Sequence, residues 1–516
     1  MTSLIPGETT KTRSAAAEEA PRSRLTWSLA LCSATATGVF VCTARPEASS
    51  FVVLAIAVIA HLVLVLVPSI AAALHARAVF GLGAALIAVA VCAQPMGTDL
   101  WAYQMYGRIV VEHHENPYLL TPSEFPDDPV LRYMGTPWSG VRAEYGPVLV
   151  ATAAAVAAVT GTSELRGRLA WQGLCGAAVF ATMVLIWRRT KNPAAVAAIG
   201  LNPIALYELV HLAHNDALIG LAVTGATVAA RKDRQVVAAL LLTTGALIKA
   251  PVGLALVALL IWVLIRRGLP SAVRAAAAAA LFAVAAILAA GGSEVVEPML
   301  GARGRTNAFT LWNLVRGGAD IFTGNGSHEL PFIAGSTLAT AAMASAVVFA
   351  VGLTVIRSWR PTRAEWSDTQ PADWPDPSPV VFAALLSWLL LSLYTSPWSF
   401  GWILPLAAMT WPARHARAVL AFASLFGLAA LWGIVTIAAK WLEQPTFPAF
   451  DDFSAVGKSL VAAGALALIG SLTIDAARRL SRGRDYGPHP TAVEAGAAYT
   501  ENVAARPTSV SEPKPA

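Results

Sequence analysis

Long apolar segments separated by short basic ones leave this chain one class of fold. Runs near residues 27–44, 51–67, 79–92, 167–187, 194–210, 217–230, 236–248, 252–265, 272–290, 332–356, 380–395, 402–411, 419–439 and 455–476 carry little charge. The longer ones reach ~17–25 residues, the length of an α-helix that crosses about 30 Å of hydrocarbon. They are apolar on every side, whereas a membrane β-barrel is built from short alternating segments. With 56% hydrophobic and 13% charged residues, a soluble chain of 516 residues could not bury its apolar surface. The expected fold class is therefore an all-α polytopic integral membrane protein, a bundle of about 13–14 helices.

Lysine and arginine placement orients such a bundle. Lys11, Arg13, Arg22, Arg24, Arg77, the clusters at 188–191, 231–234 and 266–267, and those at 357–363, 414–417 and 478–484 are expected on the cytoplasmic side. Both termini are then cytoplasmic, and the loop at 97–145 lies outside the plasma membrane. This requires the alanine-rich run 146–160 to lie along or dip into the outer leaflet, which leaves Arg166 and Arg168 outside. The expected division is a polar cytoplasmic segment 1–26, a membrane bundle 27–476 and a disordered cytoplasmic tail 477–516. Outer loops are expected at 97–145 and 291–331, and an inner loop at 357–379. The first apolar helix reads as an uncleaved anchor, because the residues before it are polar and charged.

Several function classes lose support. Cys32, Cys42, Cys92 and Cys175 all fall inside apolar runs without a CxxC, so they read as small core residues. The formal charge of +6 reflects the basic clusters and says nothing for nucleic acid. Glycine patterns of P-loop or dinucleotide sites are absent. No cofactor is legible, and the need for a divalent metal stays open.

The polar loop 97–145 carries seven carboxylates (Asp99, Glu112, Glu115, Glu124, Asp127, Asp128, Glu144) against three arginines. Asp99 sits at the edge of an apolar helix, where a carboxylate can act as general base or be simply solvated. Tyr103, Tyr106 and Arg108 follow, then Glu115, Asn116, Pro117 and Tyr118, and the loop closes on Glu144, Tyr145, Gly146 and Pro147. A second cluster holds Asn202, Pro203, Glu208, His211, His214, Asn215 and Asp216. Its Asn-Pro pair interrupts a membrane helix and frees backbone groups that need partners. Glu208 lies within an apolar run, where an ionisable residue is costly and points to function. The bland alternative is a polar turn in which Asn215 or Asp216 caps the next helix. Lys249, beside Ala250 and Pro251, suits a phosphate or a snorkelling ammonium. Arg303, Arg305 and Arg316 add planar donors of the kind that grip phosphate, or form a solvated loop. Ser396, Pro397 and Trp398 offer a stacking platform for a sugar or part of an aromatic belt.

These pieces, in this order, resemble actinobacterial polyprenol-phosphate-mannose-dependent α-1,6-mannosyltransferases (MptA/MptB type) of the GT-C superfamily. The resemblance is carried by Gly97-Thr98-Asp99, Tyr103, Tyr106-Gly107-Arg108, Asn116-Pro117-Tyr118, Glu144-Tyr145-Gly146-Pro147, Asn202-Pro203, Glu208, His214-Asn215-Asp216-Ala217 and Lys249-Ala250-Pro251. The stretch Tyr207–His211 departs from the family's leucine-and-glycine pattern. The resemblance implies a GT-C-like helix bundle whose outer-face loop carries the catalytic acid. It implies inverting transfer of mannose from polyprenyl-phosphate-mannose to a lipid-linked α-1,6-mannan acceptor of lipomannan or lipoarabinomannan synthesis, on the outer face. Asp99 matches the family's acid and would deprotonate the acceptor. Lys249, with Arg305 or Arg303, would neutralise the donor phosphate. His214, Asn215, Asp216, Tyr103, Arg108, Tyr145 and Glu208 would bind sugar or acceptor. Rival readings are another polyprenyl-phosphate-sugar transferase, or a transporter or flippase for a lipid-linked glycan; charges gathered at one face, without two related halves, speak against transport.

Overall fold

The computed structural model describes residues 8–43, 48–95, 97–134, 136–301, 310–312, 336–359, 376–411, 413–441 and 449–482. All regular structure among them is helical. The longer helices are α1 (Glu8–Thr43), α2 (Ala48–Leu66), α3 (Ala76–Cys92), α4 (Asp99–Val111), α5 (Pro147–Thr160), α6 (Glu164–Thr190) and α7 (Pro193–Gly200). They continue with α8 (Asp216–Arg231), α9 (Gln235–Ala246), α10 (Gly253–Arg267), α11 (Leu269–Ala289), α12 (Ser336–Trp359), α13 (Ser378–Leu391), α14 (Arg414–Trp441) and α15 (Ala449–Arg482). Among the described residues eight helices are long and apolar enough to cross a membrane, or up to nine if a bent pair counts as one span. The chain is a multi-pass helical membrane protein.

Helix ends follow local chemistry. Pro147 and Pro193 open α5 and α7, where their missing N–H costs nothing. Asn192 accepts from the N–H of Ala194 at 2.9 Å. Arg188 and Arg189 lie in the last turn of α6, favourable at the negative end of its dipole, and Lys191 then takes a left-handed conformation.

The bent pair turns at Asn202-Pro203 by 43°. The Asn202 carbonyl oxygen of the side chain accepts from Ala205 N at 3.1 Å, and Leu206–His211 then form one turn of wider π-helix. Such a break frees carbonyls inside a low-dielectric bundle, where each needs a donor. Gln172 from α6 supplies one, donating to the carbonyl of His211 at 2.7 Å and to that of Ala90 at 3.0 Å. Arg168, also on α6 and buried, donates to the carbonyls of Cys92 and Ala93 at 3.0 and 2.7 Å. It closes the end of α3. An arginine used inside the protein in this way is no guide to membrane sidedness, which removes half of the charge conflict raised by the 161–168 stretch.

Two glycines set the position of the polar loop. A Cβ on Gly107 would collide with the carbonyl oxygen of Ala153, so α4 and α5 cross backbone to backbone there. A Cβ on Gly146 would meet the Leu247 carbonyl; instead Gly146 N donates to Ile248 O at 3.0 Å and Val148 N to Leu247 O at 3.1 Å. The end of the loop is thereby stitched to the segment that carries Lys249.

Two expected elements differ. The run 402–411 is a 3-10 turn (Pro397–Trp402) and a six-residue helix (Leu404–Met409), too short to span a bilayer. The run 146–160, expected as a helix that does not fully span, is α5, whose 14 residues extend about 21 Å against a ~30 Å hydrocarbon core. The last helix continues through Arg482, beyond the boundary expected at residue 476.

Gly107→Ala is expected to lower the thermal unfolding temperature of the detergent-solubilised protein. Overpacking costs about 1–3 kcal/mol, against a helix-propensity gain of ~1 kcal/mol, and here the obstacle is backbone that cannot swing away. An unchanged or raised melting temperature would show that α4 and α5 can separate freely.

Candidate active site

Asp99 is the first residue of α4, where the helix dipole favours negative charge. The left-handed turn at Ala213, with φ 56°, swings the chain after the π-turn back toward it. His214 then lies with Nε2 3.2 Å from Asp99 Oδ2, and its Nδ1 is 2.7 Å from the Glu208 carbonyl and 3.4 Å from the Glu208 carboxylate. Both ring nitrogens face acceptors, and only the doubly protonated imidazolium can donate to both. Burial pulls the His214 pKa down, but hydrogen bonds and charges of Asp99 and Glu208 override it and hold the ring charged to about 10. Burial likewise pushes Asp99 up, yet the His214 hydrogen bond and charge, the Lys249 charge and a hydrogen bond from Trp138 bring it below the usual carboxylate range. Trp398 stacks on the imidazole with ring centroids 4.1 Å apart and planes 22° from parallel.

A second pair flanks the first. Lys249 Nζ lies 2.6 Å from Asp216 Oδ2, and Trp402 Nε1 donates to Asp216 Oδ1 at 2.6 Å. Asp216 is fully buried, while the Lys249 side chain keeps 19% of its surface. An ammonium has three N–H donors. With one spent on Asp216, Lys249 can present the others to a ligand. The Tyr145 ring lies 5.9 Å from the same nitrogen.

Asp99 and Lys249 open on one cavity of about 480 Å3. Glu144, Tyr145, Trp138, Trp398 and Trp402 share its lining. Helices α10, α12 and α13 add apolar side chains, among them Leu254, Ala342, Met343, Val347 and Trp388. One cavity thus joins a carboxylate, an ammonium and indole faces to a slot fit for hydrocarbon.

Residues 14–266 match the family model described as "Alpha-(1->6)-mannopyranosyltransferase, N-terminal domain". Over that region, just under half of its length, the chain is similar to this family. It is 26% identical over 342 residues to "Alpha-(1->6)-mannopyranosyltransferase A" of Mycobacterium tuberculosis (strain ATCC 25618 / H37Rv), an alignment that spans 63% of this chain and 63% of that one. Asp99, Glu208, His214, Asp216 and Lys249 all fall inside the region matched by the family model. Trp388, Trp398 and Trp402, which complete the cavity, lie beyond it.

The structure gathers some of the sequence candidates and disperses others. Asp99, Lys249 and Tyr145 line the cavity. His214 touches Asp99 from behind, and Glu208 stands one layer deeper, 2% exposed, against His214. Asp216 reaches the cavity through Lys249 and Trp402. Tyr103 is buried between the rings of Tyr145 and Trp171 rather than on the cavity wall. Asn215 is wholly buried, and its side-chain nitrogen and oxygen have no hydrogen-bond partner among the described residues. Arg108, expected at a sugar contact, is engaged away from the cavity lining. Its Nε donates to both oxygens of the buried Asp128, at 3.0 and 2.9 Å, and Asp128 in turn pairs with His113 and accepts from Val130 N. It therefore braces the loop. Arg303, Arg305 and Arg316 lie outside the described residues. His211 is buried against Tyr207 and the Ala90 carbonyl, away from the cavity. Among the described residues no group of three His, Cys, Asp or Glu side chains is arranged to hold a metal.

The raised His214 pKa has a consequence for stability. A basic group raised on folding contributes fully below its ordinary value of 6.5 and loses that contribution as pH rises to about 10. The melting temperature of wild type should exceed that of His214→Gln near pH 6, and the gap should narrow steadily toward pH ~10. A gap independent of pH would mean that His214 is neutral in the folded protein.

Proposed function

We propose that the chain is an inverting α-(1→6)-mannosyltransferase that takes mannose from a polyprenyl-phosphate-linked donor and adds it to a lipid-linked mannan. The observation that carries this reading is one cavity lined both by Asp99 and Lys249 and by apolar side chains of α10, α12 and α13. A sugar phosphate on a long hydrocarbon presents three parts: a chain, a charge and a reacting carbon. The apolar lining suits the chain, and Lys249 suits the phosphate, which leaves as a weak base and needs neutralisation more than a proton. The indoles and Tyr145 suit a hexose ring.

In this mechanism the acceptor hydroxyl oxygen attacks the anomeric carbon of a β-linked donor from the face opposite the phosphate. The new C–O bond forms as the bond to the phosphate oxygen breaks, which gives the α-linkage. The hydroxyl proton passes to the Asp99 carboxylate, and polyprenyl phosphate departs with the bonding pair, its charge met by Lys249. A carboxylate of low pKa serves here, because the hydroxyl becomes strongly acidic only as its oxygen bonds to carbon. His214 holds Asp99 ionised and fixed in direction. The side of the membrane follows the same reading: the 97–145 loop and its cavity face outward, and both termini face the cytoplasm. Arg303 and Arg305 remain candidates for the phosphate from the sequence.

The test uses membranes carrying wild type or variants, radiolabelled polyprenyl-phosphate-mannose and a synthetic α-1,6-mannoside. Asp99→Asn, nearly isosteric, should insert normally and lose roughly 10²–10⁴-fold in transfer, the range for a general base. Transfer at the wild-type rate would remove Asp99 as the base. Lys249→Ala should reduce turnover or raise the donor KM by about 10²-fold or more, as loss of an electrostatic stabiliser does; unchanged kinetics would make it a snorkelling residue. No product from wild type with this donor would move the assignment to another lipid-phosphate sugar.

A further inference from the structure

A second cleft, of about 770 Å3, lies at the opposite end of the helices that carry the active-site lysine. α9 runs from Gln235 toward Lys249, and α10 returns from Gly253 to Arg267. The 15 residues of α10 separate the two sites by about 22 Å along the helix. Four arginines line this cleft, Arg234, Arg266, Arg267 and Arg274, with one carboxylate, Asp233, and the hydroxyl of Ser271.

Basic residues at helix ends ordinarily spread around the rim and extend into water. Here two tight turns bring them together. Asp233 takes a left-handed conformation with φ 58° just before Arg234. Gly268, with φ 80°, is the only residue between α10 and α11, so Arg266 and Arg267 stand beside Arg274 on the next helix. Arg267 Nη2 pairs with Asp233 Oδ1 at 2.9 Å, and its side chain is only 6% exposed. Asp233 is the one carboxylate among the residues that line the cleft with these four guanidinium groups. Guanidinium forks match phosphate oxygens two at a time.

The surroundings indicate how that phosphate is presented. Val236, Val237, Leu269 and Val273 flank the cleft and are 38–64% exposed. Only 17% of the apolar window of α11 is buried inside the protein, so most of this helix faces lipid. A headgroup in the cleft would leave its acyl chains lying along that apolar face. We propose that this cleft binds the phosphate of an anionic phospholipid headgroup, independently of the chemistry at Asp99. Basic pockets between membrane helices are suited to such headgroups, because each arginine near a charged leaflet adds to the attraction.

The test is native mass spectrometry of the delipidated full chain in detergent, with phosphatidylglycerol, phosphatidylcholine or inorganic phosphate added separately. Wild type should retain one phosphatidylglycerol at a concentration where phosphatidylcholine is not retained. Arg234→Gln/Arg274→Gln, both exposed and neither paired with Asp233, should weaken that retention at least tenfold while unfolding at the wild-type temperature. Arg274→Glu alone, which reverses one charge, should weaken it in the same direction. Equal retention by wild type and both variants, or equal retention of phosphatidylcholine, would overturn the proposal. Inorganic phosphate bound as tightly as the lipid would overturn the lipid as the source and leave a free-anion site.

Discussion

The requirement that no backbone polar group be left unpaired at membrane depth governs how this active site is built. The Asn202-Pro203 break gives up regular helical bonds in the middle of an apolar segment, and the bundle must repair the loss. Gln172 and the π-turn do so, and the repaired backbone then delivers His214 to Asp99 through a single left-handed residue. Asp99 itself comes from a different helix, fixed by the glycine contact between α4 and α5. Neither helix could adjust by much without exposing a carbonyl or forcing two backbones into each other.

Charge is arranged in two coupled layers. Asp99 and Lys249 line the cavity wall; behind them His214, Glu208 and Asp216 balance and aim them. The deep layer is anchored by indoles, with Trp402 on Asp216 and Trp398 against His214. A buried ion pair is worth having only when its remaining donors and acceptors are satisfied. Trp402 meets that condition for Asp216 with its indole N–H, and Trp398 covers the His214 ring with a flat face. The same cavity carries apolar side chains from α10, α12 and α13.

Helix content and the two most exposed catalytic candidates were legible from the sequence for a simple reason. Apolar runs of this length have one solution, and a charge at the edge of such a run, as at Asp99 or Lys249, has few reasons to be there. Depth was not legible. Arg108, Glu208 and Asp216 carry the same chemical signal as Asp99, yet one braces a loop through Asp128 and the others stand a layer behind the cavity. Linear order cannot tell a side chain on the wall from one behind it. The 402–411 run looked like a span because its composition is apolar; it is a tight turn and a short helix that exist to hold Trp402 and its neighbours beside Asp216. Trp138, Trp388 and Trp402 were indistinguishable from interfacial belt residues, since a belt and a sugar platform use the same side chain.

The stitch between Gly146 and the Leu247–Ile248 carbonyls has a mechanical meaning. Tyr145 and Lys249 sit on either side of it, so they form one stiff jaw. Side chains from α12 and α13 share the cavity lining, and among the described residues no backbone hydrogen bond ties either helix to that jaw. The stitch couples Tyr145 to Lys249, so a displacement of one carries the other with it.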